Sequence, residues 1–195
     1  FMGAIYLEDL LNLRQGPFLA PRQERREPLF SPRMVHSGWG LDQFPDSHLN
    51  AIAHAGFDAI LVFVKGPNCT THGFMDFNNL IARAASYALD VYFYNYLPSF
   101  KHPDEPDAEA FFEENFGQVF ARSPGARGLI LVGESAQFPS RDPHSSGKDL
   151  GRHNLKWTDI ADPRPSPGFW PCRDYPQWLE AVQRAVRKYR PDADI

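Results

Sequence analysis

"FDAILVFVK", Phe57 to Lys65, is the stretch that decides the fold. Its β-branched and aromatic residues favour an extended backbone, and apolar side chains fall on both parities of the strand alternation. A strand in an open antiparallel sheet keeps one polar face. One that is apolar on both faces is covered on both sides, as strands of parallel α/β sheets are. Upstream, "RMVHS" (Arg33–Ser37) is a short strand candidate, and "DSHLNAIAHAG" sets Leu49, Ile52 and Ala53 at helical spacing with Gly56 as the stop. Downstream, Phe77, Leu80, Ile81, Ala84 and Ala88 share one helical stripe, and "DVYFYNY" (Asp90–Tyr96) reads as a third strand. Ala108, Phe112, Phe116 and Val119 then mark a helix by spacings of four, four and three, before "GLILVG" (Gly128–Gly133) as the fourth strand. A last helix over Tyr175–Tyr189 turns Trp178, Leu179, Val182 and Val186 inward; Asp174 stands as its N-cap, with Gln177 as the partner in a capping box.

Strand and helix thus alternate four times, which predicts a parallel sheet with right-handed crossovers, in the order one to four. The strands are expected near residues 33–37, 58–64, 90–95 and 128–133. In "RPDADI" (Arg190–Ile195) a fifth strand begins, with Ile195 its first apolar residue. "AIYLEDLLNLRQGP" reads as a helix, joined by the Pro- and Arg-rich Pro17–Pro32 to the first strand. The expected fold class is therefore α/β: the first half of a (β/α)₈ TIM barrel, four parallel βα units, with an N-terminal helix and connector. Residues 1–32 form the helix and connector from a preceding domain, and 33–195 the barrel half. A small doubly wound domain is the rival, but no Gly-rich turn follows the first strand. A half-barrel leaves two raw sheet edges and a bare inner face, so an oligomer is expected through those edges.

Composition narrows the function. A net charge of −4 supplies no basic face for nucleic acid or anionic lipid. No apolar run approaches the roughly 20 residues of a membrane helix, and the N-terminus has no secretion-signal pattern, which favours a cytoplasmic setting. Cys69 and Cys172 stand outside any CxxC or Cys/His cluster and read as ordinary thiols. The seven histidines are scattered without metal-type spacing, so neither metal nor other cofactor is expected.

Ligands of parallel α/β folds meet the C-terminal ends of the strands. Those ends carry His36 to Gly40, including Trp39, after strand one, and Lys65 and Asn68 after strand two. Tyr94, Asn95 and Tyr96 end strand three, and Glu134 ends strand four. Aromatic faces cover the apolar faces of sugars, while amides and charges bind hydroxyls; a phosphate site would want Gly-rich turns and more cations. Beside aromatic walls a carboxyl loses hydration, which disfavours its charged form and suits it to donate a proton to a leaving group. Alternatives stand beside each assignment. Glu134 can pair with Arg141 or Lys65, Trp39 can plug the barrel end, Tyr94 and Tyr96 can be packing, and Lys65 a solvated strand end. His36 reads as a hydrogen-bonded core histidine and His102 as part of a solvated helix approach. The Ser135–Arg173 loop, some 39 residues with six prolines, is long enough to form a substrate-side lid.

These residues carry a resemblance. "PLFSPRMVHSGWGLDQFPDSHLNAIAHAGFDAILVFV" resembles the entry into the catalytic barrel of glycoside hydrolases related to family 20 β-hexosaminidases and family 67 α-glucuronidases. There, a preceding domain ends in a helix, and a connector delivers an Arg into strand one. The next helix leads to a "G-F/Y-N-A-I" second strand. The counterparts are Leu7–Leu13, Arg33 and "GFDAI" (Gly56–Ile60), and "VGES" puts Glu134 where those enzymes carry their general acid. Family 20 enzymes have an Asp before that Glu; here it is Gly133, which sets a uronidase-like or other exo-acting glycosidase beside N-acetylhexosamine chemistry.

The resemblance implies an exo-acting glycoside hydrolase fragment, with carbohydrate as its substrate. It would cleave O-glycosidic bonds with Glu134 as acid and Trp39, Lys65, Asn68, Tyr94, Asn95 and Tyr96 as sugar contacts. The second carboxylate is expected beyond Ile195, so the fragment alone would be inactive. A non-catalytic carbohydrate-binding relative, or another TIM-barrel enzyme acting on a small metabolite, remains the alternative.

Overall fold

Four parallel strands, Met34–Val35, Ala59–Val64, Asp90–Asn95 and Gly128–Ile130, form one sheet in that order, each beside its predecessor in the chain apart from a small hairpin. The computed structural model describes residues 2–36, 43–132, 138–144 and 172–195. Helix α1 (Met2–Arg14) leads through the connector to β1 (Met34–Val35), α2 (Asp46–His54) and β2 (Ala59–Val64). The hairpin strands β3 (Cys69–Thr70) and β4 (Gly73–Phe74) precede α3 (Phe77–Ser86) and β5 (Asp90–Asn95). Next come α4 (Ala108–Phe112), a π-helical turn (Glu113–Gly117) and α5 (Gln118–Arg122), continuous along the chain. β6 (Gly128–Ile130) and α6 (Tyr175–Arg187) complete the described elements.

All three neighbouring pairs are parallel, with registers Met34↔Ala59, Ala59↔Asp90 to Val64↔Asn95, and Tyr92↔Gly128 to Tyr94↔Ile130. The expected strand order holds. Beyond β6, Asp194 makes an isolated parallel bridge to Gly128: its N–H donates to the Arg127 carbonyl (3.2 Å) and its carbonyl accepts from Leu129 N–H (2.9 Å). The next position in the sheet is thereby occupied one residue before Ile195.

The described helices pack on one face of the sheet. Ile60, Val62, Val64, Val91, Phe93 and Leu129 pack with Leu49 and Ala53 of α2, Phe77 and Leu80 of α3, Phe112, Phe116 and Val119, and Trp178 and Val182 of α6. The alternate strand residues form a separate cluster of Ala59, Leu61 and Tyr92, with Met34, Tyr94 and Ile130 against it, and none of the described helices contributes to it. This inner face is less bare than expected. Leu61, Phe63 and Tyr92 are buried, and Tyr94 and Tyr96 lay their rings over Phe63.

Several local expectations need correction. Strands one and four are shorter than their apolar runs, at two and three residues. Ala88 leaves the stripe: α3 ends at Ser86, Ala88 turns at φ +56° into the open, and Leu89 takes the buried place. Two side chains serve the start of α3, the Asp76 carboxylate accepting from Asn79 N–H and the Asn68 carbonyl from Phe77 N–H. The spacings of four, four and three belong to an interrupted helix, whose π turn seats the Glu113 carboxylate over Gly117. Glu113 there accepts from the Tyr189 hydroxyl and pairs with Lys188 (3.3 Å), tying this segment to the end of α6. Asp174 does occupy the N-cap of α6, but its side chain makes no capping bond, because its carboxylate is engaged elsewhere.

Candidate functional site

Parallel pairing brings the C-terminal ends of β1, β2 and β5 side by side, and the alternation along each strand selects which side chains face inward. His36 follows β1, Phe63 stands near the end of β2, and Tyr94 and Tyr96 close β5. Their rings form one cluster. Phe63 lies 4.7 Å from Tyr94 and 5.3 Å from Tyr96 between centroids, and the two tyrosines are 5.8 Å apart. The imidazole of His36 stands edge-on to Phe63 at 5.8 Å and within 28° of parallel to Tyr94 at 6.2 Å. Phe63 is buried as the floor, Tyr94 and Tyr96 are half-buried, and His36 is exposed. Aromatic pairs at such separations add to area burial, so the rings hold one another in place. His36 is therefore exposed and not the core histidine expected of it: β1 ends at Val35, and no described helix packs on this face.

The other anticipated contacts divide. Lys65 is exposed at the end of β2, its N–H held by the Cys69 carbonyl (2.8 Å). Asn68, at φ +53°, spends its side-chain carbonyl on Phe77 N–H (3.1 Å) and its backbone carbonyl on Met75 N–H (3.0 Å), so it shapes the hairpin and launches α3. Asn95 lies on the helix-facing side, paired with Val64 and fully buried; its carbonyl accepts from Leu97 N–H (2.8 Å), while its amide nitrogen has no partner. It is closed off from any ligand at the strand ends. Trp39 and Glu134 lie outside the described residues, as does most of the long loop.

A second polar cluster was missed. His102 is only 2% exposed, stacked on Phe138 (5.5 Å), with Nε2 3.1 Å from the Asp174 carboxylate and Nδ1 accepting from Asp104 N–H (3.1 Å). It is no solvated approach residue. Asp174 also accepts from the Ser140 hydroxyl (2.7 Å) and Arg141 N–H (2.6 Å), while Asp142 accepts from Arg173 N–H (2.7 Å) and His144 N–H (2.8 Å). The two carboxylates cross-link the segments that flank residues 145–171. Burial works against the Asp174 charge, yet the hydrogen bonds from Ser140 and Arg141 outweigh it and hold the carboxyl below its ordinary value. Backbone N–H groups of His144 and Arg173 hold Asp142 low in the same way. Ser140 donates to Asp174 and accepts from Asp142 N–H, so this is a clasp, not a nucleophile with its base. Its signal in the sequence was Ser140 and Asp142 at one end of the loop and Asp174 at the other, but only the fold pairs them.

At the opposite end of the strands, Arg33 grips Asp58 with Nε and a terminal nitrogen (3.1 and 3.0 Å), and both Asp58 and Ala59 N–H groups donate to the Arg33 carbonyl. The two landmarks of the resemblance, Arg33 and "GFDAI", are thus one structural contact where β1 and β2 begin. Gly56, at φ +85°, makes the turn that leads there.

Neither Cys69 nor Cys172 is in a disulfide; burial pushes the Cys172 thiol above its ordinary value. Among the described residues, no group of three His, Cys, Asp or Glu side chains is placed to hold a metal ion, and no helix is long and apolar enough to cross a membrane. No family model matches the chain, and no curated protein and no solved structure is significantly similar to it.

Proposed function

We propose that the chain forms the first four βα units of a (β/α)₈ barrel and the N-terminal half of a glycoside hydrolase catalytic domain. Sequential parallel order and described helices that all pack on one face support the barrel, because a doubly wound sheet carries helices on both faces. The observation that carries the functional reading is the ring cluster of His36, Phe63, Tyr94 and Tyr96 at the C-terminal strand ends. Half-open aromatic faces suit the C–H face of a pyranose, and the exposed Lys65 stands at the same end for its hydroxyls.

Glu134 is the proposed general acid. In the sequence it directly follows the apolar run of the fourth strand, where the enzymes of the resemblance carry their acid. It transfers its carboxyl proton to the glycosidic oxygen as the C–O bond breaks, and the bonding pair leaves with the departing alcohol. A second carboxylate, assigned to polypeptide after Ile195, meets the developing positive charge at the anomeric carbon as nucleophile or as base for water.

The test uses the polypeptide extended to the remaining strands. Glu134→Gln keeps shape and hydrogen bonding but removes the proton. With alkyl glycosides kcat should fall by about 10²- to 10⁴-fold. With dinitrophenyl glycosides, whose leaving group needs no protonation, the glycosylation step should change little. Equal losses on both would assign Glu134 to positioning or folding. Undiminished activity on both would remove it from the mechanism, and sugar binding without turnover in the parent protein would leave a binding module.

A further inference from the structure

We infer that the connector between α1 and β1 is a processing site, independently of any sugar chemistry: a protease selective for paired arginines hydrolyses the Arg26–Glu27 bond in the folded chain, and the cut frees α1 from the sheet. The chain carries two adjacent pairs of Lys or Arg, Arg25–Arg26 and Arg187–Lys188. The fold treats them oppositely. Arg187 closes α6, and the Lys188 N–H donates to the Arg184 carbonyl (3.3 Å), so that pair is wound into a helix end. Arg25 and Arg26 lie within residues 18–28, which belong to no helix, strand or turn, and every residue from 20 to 32 is exposed. Among the described residues, no main-chain group from 17 to 32 hydrogen-bonds to another main-chain group.

A protease holds its substrate extended on both sides of the broken bond, by main-chain hydrogen bonds and side-chain pockets. A helix must unwind to meet that demand, whereas this connector meets it as it stands. The arginine heads are within reach: the Arg25 side chain is 85% exposed and pairs at the surface with Glu27, and the Arg26 guanidinium rests 4.5 Å over the Tyr6 ring. Exposed contacts of this kind are weak and give way to acidic pockets that take both guanidinium groups. Hydrolysis breaks the Arg26–Glu27 amide, with water supplying the hydroxyl of the new carboxyl group and the hydrogen of the new amine. Little then holds α1. It buries one of its thirteen residues, Ile5, packs Met2 against the same core, and reaches His54 with Glu8 (3.2 Å). A cavity of about 720 Å³, bordered by Met2, Ile5 and Tyr6 on one side and Ala53, His54 and Gly56 on the other, leaves its seat on α2 partly unfilled. Tyr6, Arg22 and Glu24, which hold one another, all precede the cut and depart together. β1 stays, because Arg33 remains bound to Asp58.

The test treats the intact chain under native conditions with kexin, a subtilisin-type protease selective for paired basic residues, and reads the products by mass spectrometry. Cleavage after Arg26 should run within about tenfold of the rate on a synthetic peptide of residues 18–32, since a bond that waits for global unfolding is cut about 10³-fold more slowly or worse. Arg187–Lys188 should stay intact. Arg25→Gln combined with Arg26→Gln should abolish the cut and leave the thermal midpoint unchanged. The fragments 1–26 and 27–195 should part on gel filtration. If the peptide is cut rapidly and the intact chain is not, or if the cut fragments stay together, the inference falls.

Discussion

Gly128 shows what one missing side chain permits. A Cβ there would lie 2.3 Å from the Asp194 carbonyl oxygen, so the backbone that opens the next sheet position can approach β6 only because this residue is glycine. Tyr92 fastens the same point, its hydroxyl donating to Asp194 (2.6 Å) beside Arg127 (3.1 Å), and burial with this bond pushes the phenol up to about 12. Gly128→Ala should therefore cost about 1–3 kcal/mol, the usual range for overpacking. Urea unfolding measures it, and an unchanged midpoint would show that the Asp194 bridge contributes nothing. Residue identity was legible at some of these positions and silent at others. The glycine of "GLILVG" looks like any strand-edge glycine until Asp194 is placed against it, whereas the apolar run around it already marked the strand.

Among the elements, the clasp around Asp174 binds the entry of α6 to the Ser140–Asp142 segment and to His102. Removing the carboxylate in Asp174→Ala strands the Ser140 hydroxyl and Arg141 N–H in a nearly dry site, and stability should drop by about 3 kcal/mol, the upper end for a hydrogen bond to a charged group. Acid should act on the same group. Its folded carboxyl is held below the ordinary value, so its contribution is complete above the unfolded value of about 3.9 and is lost as pH falls through the folded one. Unfolding midpoints at pH 7, 4 and 3 should therefore fall more steeply in the parent than in Asp174→Asn. Parallel slopes would place the acid sensitivity in Asp142 or elsewhere. The helix itself was plain from its apolar stripe, whereas the capping box was misread: Asp174 is the right residue type at the N-cap, but three partners distant in sequence outcompete the local N–H.

At the level of the whole molecule, the described helices cover one sheet face, and the edges are sparsely paired, with the single bridge of Asp194 beyond β6. β1 has one neighbour, and beyond β6 a groove of about 480 Å³ runs past Leu129, Leu131, Tyr175, Leu179 and Ile195. Ile195 is 39% exposed there. Unpaired strand edges beside apolar grooves recruit further strands, so the chain made alone should dimerise or aggregate. Light scattering that finds a monodisperse monomer at high concentration would contradict this, and would mean that the mutual cover of Leu61, Phe63, Tyr92 and their neighbouring rings suffices.

Sequence alone determined the alternation of strands and helices, the parallel order and the helix-facing stripes, because these rest on periodicities of 2 and 3.6 that each segment carries locally. It also placed the tyrosines of β5 at the strand ends. Tertiary structure decided the rest. Which parity of β5 meets helices, and so removes Asn95 from the rim while leaving Tyr94 and Tyr96 on it, depends on what lies across each face. Whether a histidine is buried or open depends on its cover: His102 is enclosed by Phe138 and Asp174, residues 36 and 72 positions away, while His36 stands on a face that no described helix crosses. Periodicity is a property of neighbours in the chain; burial and hydrogen-bond partnership are properties of neighbours in space.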